Sequence, residues 1–225
     1  MSEIWVLLLL ILSAALPLIL VFFWFRFRKS PVTMPWFLTA LVAGMVSLLI
    51  AALIQSLIPP LSRTGQSEPF FAFFNVFLRI ALVEELSRLV VFIPLFLAIK
   101  RRRNIDMAFC AAMGLVAGLG FAKLESAFYG LADINIALLR AITAAPLHGA
   151  CSIRVAVAFF VFTRYPVKAL FLFCFAALIH GAYNMMIITP ALPSALGILV
   201  AFTALFSSLP FIKADNPISP PLTKD

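Results

Sequence analysis

The run ALVEELSRLVVFIPLFLAIKRRR, residues 81–103, decides what kind of protein this chain forms. It is apolar for the length of a helix, yet Glu84, Glu85 and Arg88 lie inside its apolar part. The run ends in four consecutive basic residues, Lys100 to Arg103. Basic clusters at the end of an apolar run are typical of cytoplasmic loops in membrane proteins. The run therefore predicts a transmembrane helix that carries ionisable groups within the bilayer.

The composition of the whole chain favours the same class. Of its 225 residues, 64% are hydrophobic and 12% are charged, whereas a soluble domain is about half apolar and a quarter charged. A soluble fold has no interior large enough for so many apolar side chains, so lipid is the expected solvent. The net charge of +8 lies in clusters at the ends of apolar runs and not on a polar domain. This placement argues against nucleic acid as a partner.

Backbone in hydrocarbon must satisfy its own hydrogen bonds, so each apolar run of about 20 residues predicts a helix. Seven runs occur, at about 4–25, 35–58, 77–99, 107–130, 137–162, 167–189 and 193–212. We predict an all-α membrane bundle with a single domain over residues 1–212 and a disordered cytoplasmic tail over 213–225. The Phe-rich stretch from Pro69 to Val76 is expected to lead into the third span as an interfacial or extended turn.

The basic residues predict the orientation of the bundle. With the N-terminus outside, the cytoplasmic loops and tail hold eleven Lys and Arg residues, and the outer loops hold only Arg63 clear of a helix. Lys and Arg favour the cytoplasmic side, so we predict an outer N-terminus and a cytoplasmic C-terminus. The first run has no basic residue before it and a basic cluster after it, which predicts a retained helix and not a cleaved signal peptide.

Polar and ionisable groups lie inside four of the predicted helices, where each one is costly. In chain order they are Glu84, Glu85, Arg88, Glu125, His148, His180 and Asn184. Counted from the basic helix ends at ~1.5 Å per residue, the acids, the imidazoles and the amide lie ~18–28 Å from the cytoplasmic side. A hydrocarbon core is ~30 Å thick, so these groups share one layer in its outer half. This coincidence predicts a functional site.

The alternative interpretation is that each group pairs with a neighbour to hold the bundle together. We favour it for Arg88 alone, as a charge partner that orients a glutamate. Adjacent glutamates project ~100° apart on a helix, so one of Glu84 and Glu85 can face the site while the other meets Arg88. His180 and Asn184, four residues apart, share one face of their helix.

Other residues inside the predicted helices are expected to have structural roles and not catalytic ones. Gly114 and Gly118 form a GxxxG pattern, which is typical of closely packed membrane helices. Arg140 lies near the outer boundary and is expected to extend its charge toward water. Arg154 lies deeper, near the midplane, and the sequence indicates no partner for it.

Four motifs follow one another on consecutive predicted helices: EELSR at 84–88, GFAKLES at 120–126, the lone helix-borne His148, and HGAYN at 180–184. In this order they resemble the PrsW family of intramembrane proteases, within the wider CAAX-protease and bacteriocin-processing superfamily. The part that carries the motifs covers about half of the chain. PrsW-like members usually have lysine where Arg88 stands, and this exchange keeps the charge but changes its geometry.

The resemblance implies an enzyme, an intramembrane endopeptidase of glutamate-dependent type with its catalytic core over about residues 69–189. Glu84 or Glu85 would be the general base that takes a proton from water. Glu125 and His148 would position the water or shuttle the proton.

The resemblance also implies roles for the last motif and a class of substrate. His180 and Asn184 would stabilise the oxyanion that forms when the peptide carbonyl is attacked. The substrates would be single-span membrane proteins such as anti-sigma factors, cut near the extracytoplasmic side of a bacterial cytoplasmic membrane. The expected partners are this substrate and the lipid bilayer, and the oligomeric state stays open.

Three rival interpretations remain. The expected mechanism needs no cofactor, but zinc is an alternative, with Glu84, Glu125, His148 and His180 as ligands even though no HExxH motif is present. A proton-coupled transporter would also carry buried acids and imidazoles as a relay, although the chain shows no two-fold repeat. A non-catalytic membrane scaffold is the third.

Overall fold

The computed structural model describes residues 3–28, 30, 32–60, 71, 73–130, 134–188 and 194–213. Its helices, in chain order, are α1 (Glu3–Phe27), α2 (Met34–Leu57), a π-helical segment (Phe74–Leu82) that continues directly into α3 (Val83–Lys100), α4 (Met107–Gly130), α5 (Ile134–Val161), α6 (Pro166–Ile188), α7 (Ser194–Ser208) and the short α8 (Pro210–Lys213). Within these residues no strand occurs, so the all-α prediction is confirmed. The predicted tail lies outside the described residues except for Lys213, which ends α8.

Every predicted apolar run that the structure describes forms a helix. Five of the described helices are long and apolar enough to cross a membrane: Met34–Leu57, Met107–Tyr129, Ile142–Val161, Pro166–Ile187 and Ala195–Lys213. The helix formed by the π segment and α3 is also long enough, but Glu84, Glu85 and Arg88 reduce its apolar character. The count of seven crossings and their orientation stay predictions.

The third helix begins earlier than the sequence indicated. Residues 73 to 76 are helical, so the expectation of an extended turn up to Val76 is wrong, while 61–70 and 72 lie outside the described residues. A π-helix pairs its backbone groups within the segment, as hydrocarbon requires of any segment that enters it. The segment ends at Leu82, two residues before Glu84, so it leads directly into the turn of α3 that carries both acids.

The centre of the bundle is the pair α4 and α5, which pack against each other along most of their length. Close approach depends on the two glycines of the GxxxG pattern. A Cβ atom on Gly118 would collide with the backbone carbonyl of His148, and one on Gly114 would lie 2.6 Å from the carbonyl oxygen of Ser152. The predicted close packing is therefore confirmed, and it holds the main chain of His148 against α4.

We expect Gly118→Ala to lower the melting temperature of the purified protein in detergent, because the new methyl group meets backbone that cannot move aside. Overpacking of this kind costs about 1–3 kcal/mol. Gly197→Ala is the matched control, since the nearest atom to its Cβ is the flexible end of Ile187 at 3.0 Å. That variant should leave the melting temperature unchanged or slightly raised, and equal losses in both variants would contradict the packing argument.

Candidate functional site

The acids and imidazoles predicted from the sequence meet in one place. Glu84 and Glu85 lie at the start of α3, and Glu125, His148 and His180 lie on α4, α5 and α6, respectively. None of these five residues is more than 8% exposed. We call them the Glu–His cluster. Four helices thus bring their ionisable side chains to one buried point, as the depth estimate predicted.

Glu85 is the most enclosed member of the cluster, with 0% of its surface exposed. Its Oε1 atom accepts a hydrogen bond from Nη1 of Arg88 and another, of 2.7 Å, from Nδ1 of His180. The glutamate that meets Arg88 is therefore Glu85. Because the Nδ1–H of His180 points at Glu85, the opposite ring nitrogen, Nε2, is directed toward Glu84.

Glu84 faces the open part of the cluster. Its Oε1 atom accepts a hydrogen bond of 3.3 Å from Nε2 of Gln55. Its Oε2 atom lies 3.5 Å from Nε2 of His180, and neither of these two buried atoms has a hydrogen-bond partner among the described residues. A buried polar atom without a partner costs about 1–3 kcal/mol. One water molecule, proton or cation between the two atoms would satisfy both.

Arg88 and Glu125 hold His148 from its two sides. A guanidinium group can only donate hydrogen bonds, so Nη2 of Arg88 donates to Nδ1 of His148 at 2.6 Å. The proton of the neutral ring is then on Nε2, which donates to Oε2 of Glu125 at 2.7 Å. Arg88 also lies 4.0 Å from the centre of the Phe121 ring. Arg88 contacts a glutamate as predicted, and in addition it orients an imidazole.

Arg140 is the ion-pair partner of Glu125. Its Nη2 atom lies 2.5 Å from Oε1 of Glu125, and its guanidinium lies 4.1 Å from the centre of the Tyr129 ring. With only 6% of its surface exposed, Arg140 does not extend to water, so that expectation is wrong. The physical reason is that a carboxylate buried on the neighbouring helix compensates the charge where water does not reach.

The last predicted residue, Asn184, lies half-buried on α6 one turn after His180. No hydrogen bond joins its side chain to another described residue, so its oxyanion role stays a prediction. The preceding residue of the motif, Tyr183, is fully buried. Its hydroxyl group lies 2.6 Å from Oγ1 of Thr143 and joins α6 to α5.

Gln55 is a member of the site that no sequence motif indicated. It lies on α2, outside all four motifs, and the only signal for it is a polar residue near the end of an apolar run. Arg79 places it, because its Nε and Nη2 atoms donate to the carbonyl oxygens of Ile58 and Gln55 at 2.7 and 3.0 Å. These bonds tie the end of α2 to the π segment that leads into Glu84.

Arg154 lies outside the cluster and has partners on α7. It donates to the carbonyl oxygen of Ala204 at 3.1 Å and to the hydroxyl oxygen of Ser207 at 2.8 Å. Carbonyl groups of the last turn of a helix are the negative end of its dipole. Arg154, for which the sequence indicated no partner, therefore joins the end of α7 to the centre of the bundle.

Glu84, His148 and His180 form a donor set that fits a divalent metal. Each offers one ligand-type atom, and these atoms lie within 4.8 Å of one another. One carboxylate and two imidazoles are the protein ligands of many zinc enzymes. The unpaired atoms of Glu84 and His180 point at each other, and Glu85 holds the far nitrogen of His180 as carboxylates hold metal-binding imidazoles. His148 would have to release Glu125 or Arg88 to join them.

Long apolar helices around a buried polar cluster define a class, the integral membrane proteins that cross the bilayer several times and keep ionisable groups inside it. The model of the PrsW family, described as intramembrane metalloproteases, matches residues 32–209. The chain belongs to this family and is an intramembrane protease, a peptide hydrolase. The resemblance drawn from the four motifs is confirmed, while the placement in a wider superfamily stays a prediction. No curated protein and no solved structure matches the chain.

We expect Arg140→Gln to lower the free energy of unfolding by about 3–5 kcal/mol, because it leaves the carboxylate of Glu125 buried without its ion pair. Thermal unfolding in detergent measures the loss. Lys123→Gln is the matched control on the helix of Glu125, with an expected change within about 0.5 kcal/mol. The double variant Arg140→Gln/Glu125→Gln should recover part of the stability. If it recovers none, the ion pair is not the cause.

Proposed function

We propose that this protease hydrolyses peptide bonds by a glutamate-dependent mechanism in which Glu84 and His180 activate the attacking water. The observation that carries the proposal is the pair of buried atoms without partners, Oε2 of Glu84 and Nε2 of His180, 3.5 Å apart. Glu84, and not Glu85, is the base in this scheme. Oε2 of Glu85 also has no hydrogen-bond partner among the described residues, but Oε1 of Glu85 is bonded to both Arg88 and His180, so this carboxylate is already held as an ion-pair partner.

The reaction then follows from the positions of these groups. A water molecule between the two atoms transfers a proton to Glu84 while its oxygen attacks the carbonyl carbon of the peptide bond. The same proton passes from Glu84 to the amide nitrogen as the carbon–nitrogen bond breaks, which yields a carboxyl and an amino end. Proton transfer by a positioned side chain contributes about 10²–10⁴-fold to a rate. Asn184, one turn after His180, is the proposed donor to the oxyanion.

The remaining members of the site act as positioning residues. Gln55 holds one oxygen of Glu84 so that the other faces His180. Arg88 lies 3.9 Å from Oε2 of Glu84 and offsets the negative charge of the two adjacent carboxylates. Glu125 and Arg88 hold His148, whose ring lies perpendicular to that of His180 with the ring centres 4.9 Å apart.

A metal-dependent mechanism is the second candidate. Two observations favour it, the donor set of Glu84, His148 and His180 and the description of the matching family as metalloproteases. A zinc ion in this position would supply the positive charge that makes a water molecule a good nucleophile near neutral pH. In that case Glu84 would be a ligand, and Glu85 would orient His180 for binding.

For the substrate we propose single-span membrane proteins of the anti-sigma-factor kind, cut near the extracytoplasmic side of a bacterial cytoplasmic membrane. The depth of the cluster supports this choice. Glu84 lies sixteen residues before Lys100, or ~24 Å along the helix, in a hydrocarbon core that is ~30 Å thick. If Lys100 and the basic residues after it lie in the cytoplasm, the scissile bond lies beyond the midplane.

We expect Glu84→Gln to abolish cleavage of a single-span substrate while leaving the melting temperature within about 2 °C of wild type, because the amide keeps its shape but cannot take a proton. Glu85→Gln should lose both cleavage and stability, since it leaves the buried charge of Arg88 without its partner. Purified proteins in detergent, the released fragments and thermal unfolding provide the comparison.

Two further variants sharpen this test. His180→Ala should show no cleavage, and Gln55→Leu should lower the turnover rate more than the apparent substrate affinity because it affects only the orientation of Glu84. Cleavage by Glu84→Gln at the wild-type rate would exclude Glu84 as the base.

The two mechanisms differ in their response to metal removal. The glutamate-dependent mechanism predicts that cleavage continues in excess chelator and that the purified protein contains less than about 0.1 zinc ion per chain. The metal-dependent mechanism predicts a loss of activity that zinc restores, and a zinc content that falls to near zero in His180→Ala. Elemental analysis of wild type and of this variant decides between them without relying on activity.

A further inference from the structure

A groove of about 880 Å³ lies on the side of the cluster that faces the basic end of the bundle. It runs between α3 and α6, with the last turns of α5 as its floor. The π segment packs closely against α6, whereas α3 has few contacts with α6, so these two helices diverge. Leu89 and Phe173 line the end of the groove nearest the cluster, and Lys100 and Arg164 line the opposite end.

The length of the groove matches one leaflet of a bilayer. Leu89 and Lys100 are eleven residues apart on α3, or ~16 Å along a helix. Half of a hydrocarbon core is ~15 Å thick. A membrane-spanning peptide would need a path of about twice this length. A flexible acyl chain of a single leaflet matches the length of the groove.

The polar end of the groove carries the charge that an anionic headgroup needs. Lys100 and Arg164 are exposed cations on α3 and on the turn after α5. Tyr165, 41% exposed, lies beside them on the rim. Tyrosine is enriched at the level of lipid headgroups, so the two cations lie where a phosphate group would be. Basic pockets between membrane helices bind anionic lipids in this way.

We propose that this groove is a binding site for an anionic phospholipid. Its acyl chain lies along the apolar walls of α3 and α6, and its phosphate lies against Lys100 and Arg164. The inner end of the groove does not open into the Glu–His cluster, because Glu85 and Arg88, which lie behind Leu89, are at most 1% exposed. The site is therefore distinct from the Glu–His cluster, although it lies one helical turn from it.

Native mass spectrometry of the full-length protein in detergent tests the proposal. The probes are phosphatidylglycerol and phosphatidylcholine with identical acyl chains, and the Glu84→Gln background removes any influence of proteolysis. At about 1 kcal/mol for each basic side chain, we expect phosphatidylglycerol to bind about 30-fold more tightly. Lys100→Gln/Arg164→Gln should remove this preference, while Arg26→Gln/Arg28→Gln, which neutralises two exposed cations at the end of α1 and in the turn after it, should retain it.

Two further arms make the outcome unambiguous. Ala169→Phe, which fills the groove from a position that is 4% exposed, should abolish the tight binding event for both lipids. The charge-conserving variant Lys100→Arg/Arg164→Lys should keep the preference if the glutamine variant fails to fold. Retained preference in Lys100→Gln/Arg164→Gln would overturn the proposal, and so would displacement of the lipid by a single-span peptide. None of these results would affect the proposed water activation at Glu84.

Discussion

The structure depends on a carboxylate to which water has no access. Glu85 lies with 0% exposure inside a membrane bundle, where an isolated charge would cost many kcal/mol. Its two hydrogen bonds, from Arg88 and from His180, are what make its position tolerable. The network continues beyond Glu85, because Arg88 also donates to His148 and His148 donates to Glu125. One chain of charge-assisted bonds thus joins α3, α4, α5 and α6.

Charge balance explains why this chain of bonds leaves a reactive gap. The site contains three carboxylates, Glu84, Glu85 and Glu125, and two guanidinium groups, Arg88 and Arg140. With both imidazoles neutral the sum is minus three plus two, or minus one, in a medium that disfavours net charge. Oε2 of Glu84 and Nε2 of His180 lie 3.5 Å apart without hydrogen-bond partners, so positive charge between them would offset this excess. In the glutamate-dependent mechanism the proton taken from water arrives at this position, and in the metal-dependent mechanism a cation would lie there.

Much of the fold and of the site could be predicted because the bilayer restricts what a chain can do. Hydrocarbon admits helices and penalises every embedded charge, so apolar runs predicted the helices and ionisable residues predicted the cluster. The same reasoning failed where a partner comes from elsewhere in the chain. Arg140 is paired with a carboxylate and not hydrated, and Gln55 joins the site from outside every motif. The residues from Phe74 to Val76 are helical and not an extended turn, because backbone that enters hydrocarbon must be paired.

By itself, the sequence determined that this is a helical membrane protein, which ionisable residues of α3 to α6 form its polar layer, and which motifs place it among intramembrane proteases. The position of a residue along its helix gives its depth in the bilayer, so the sequence alone predicts which residues share one layer. Only the tertiary structure decided that Glu85 binds Arg88 while Glu84 faces His180. Two adjacent residues differ by a rotation of ~100° about one helix axis. Which of them meets Arg88 and which faces the open part of the cluster depends on how α3 packs against α2 and α5.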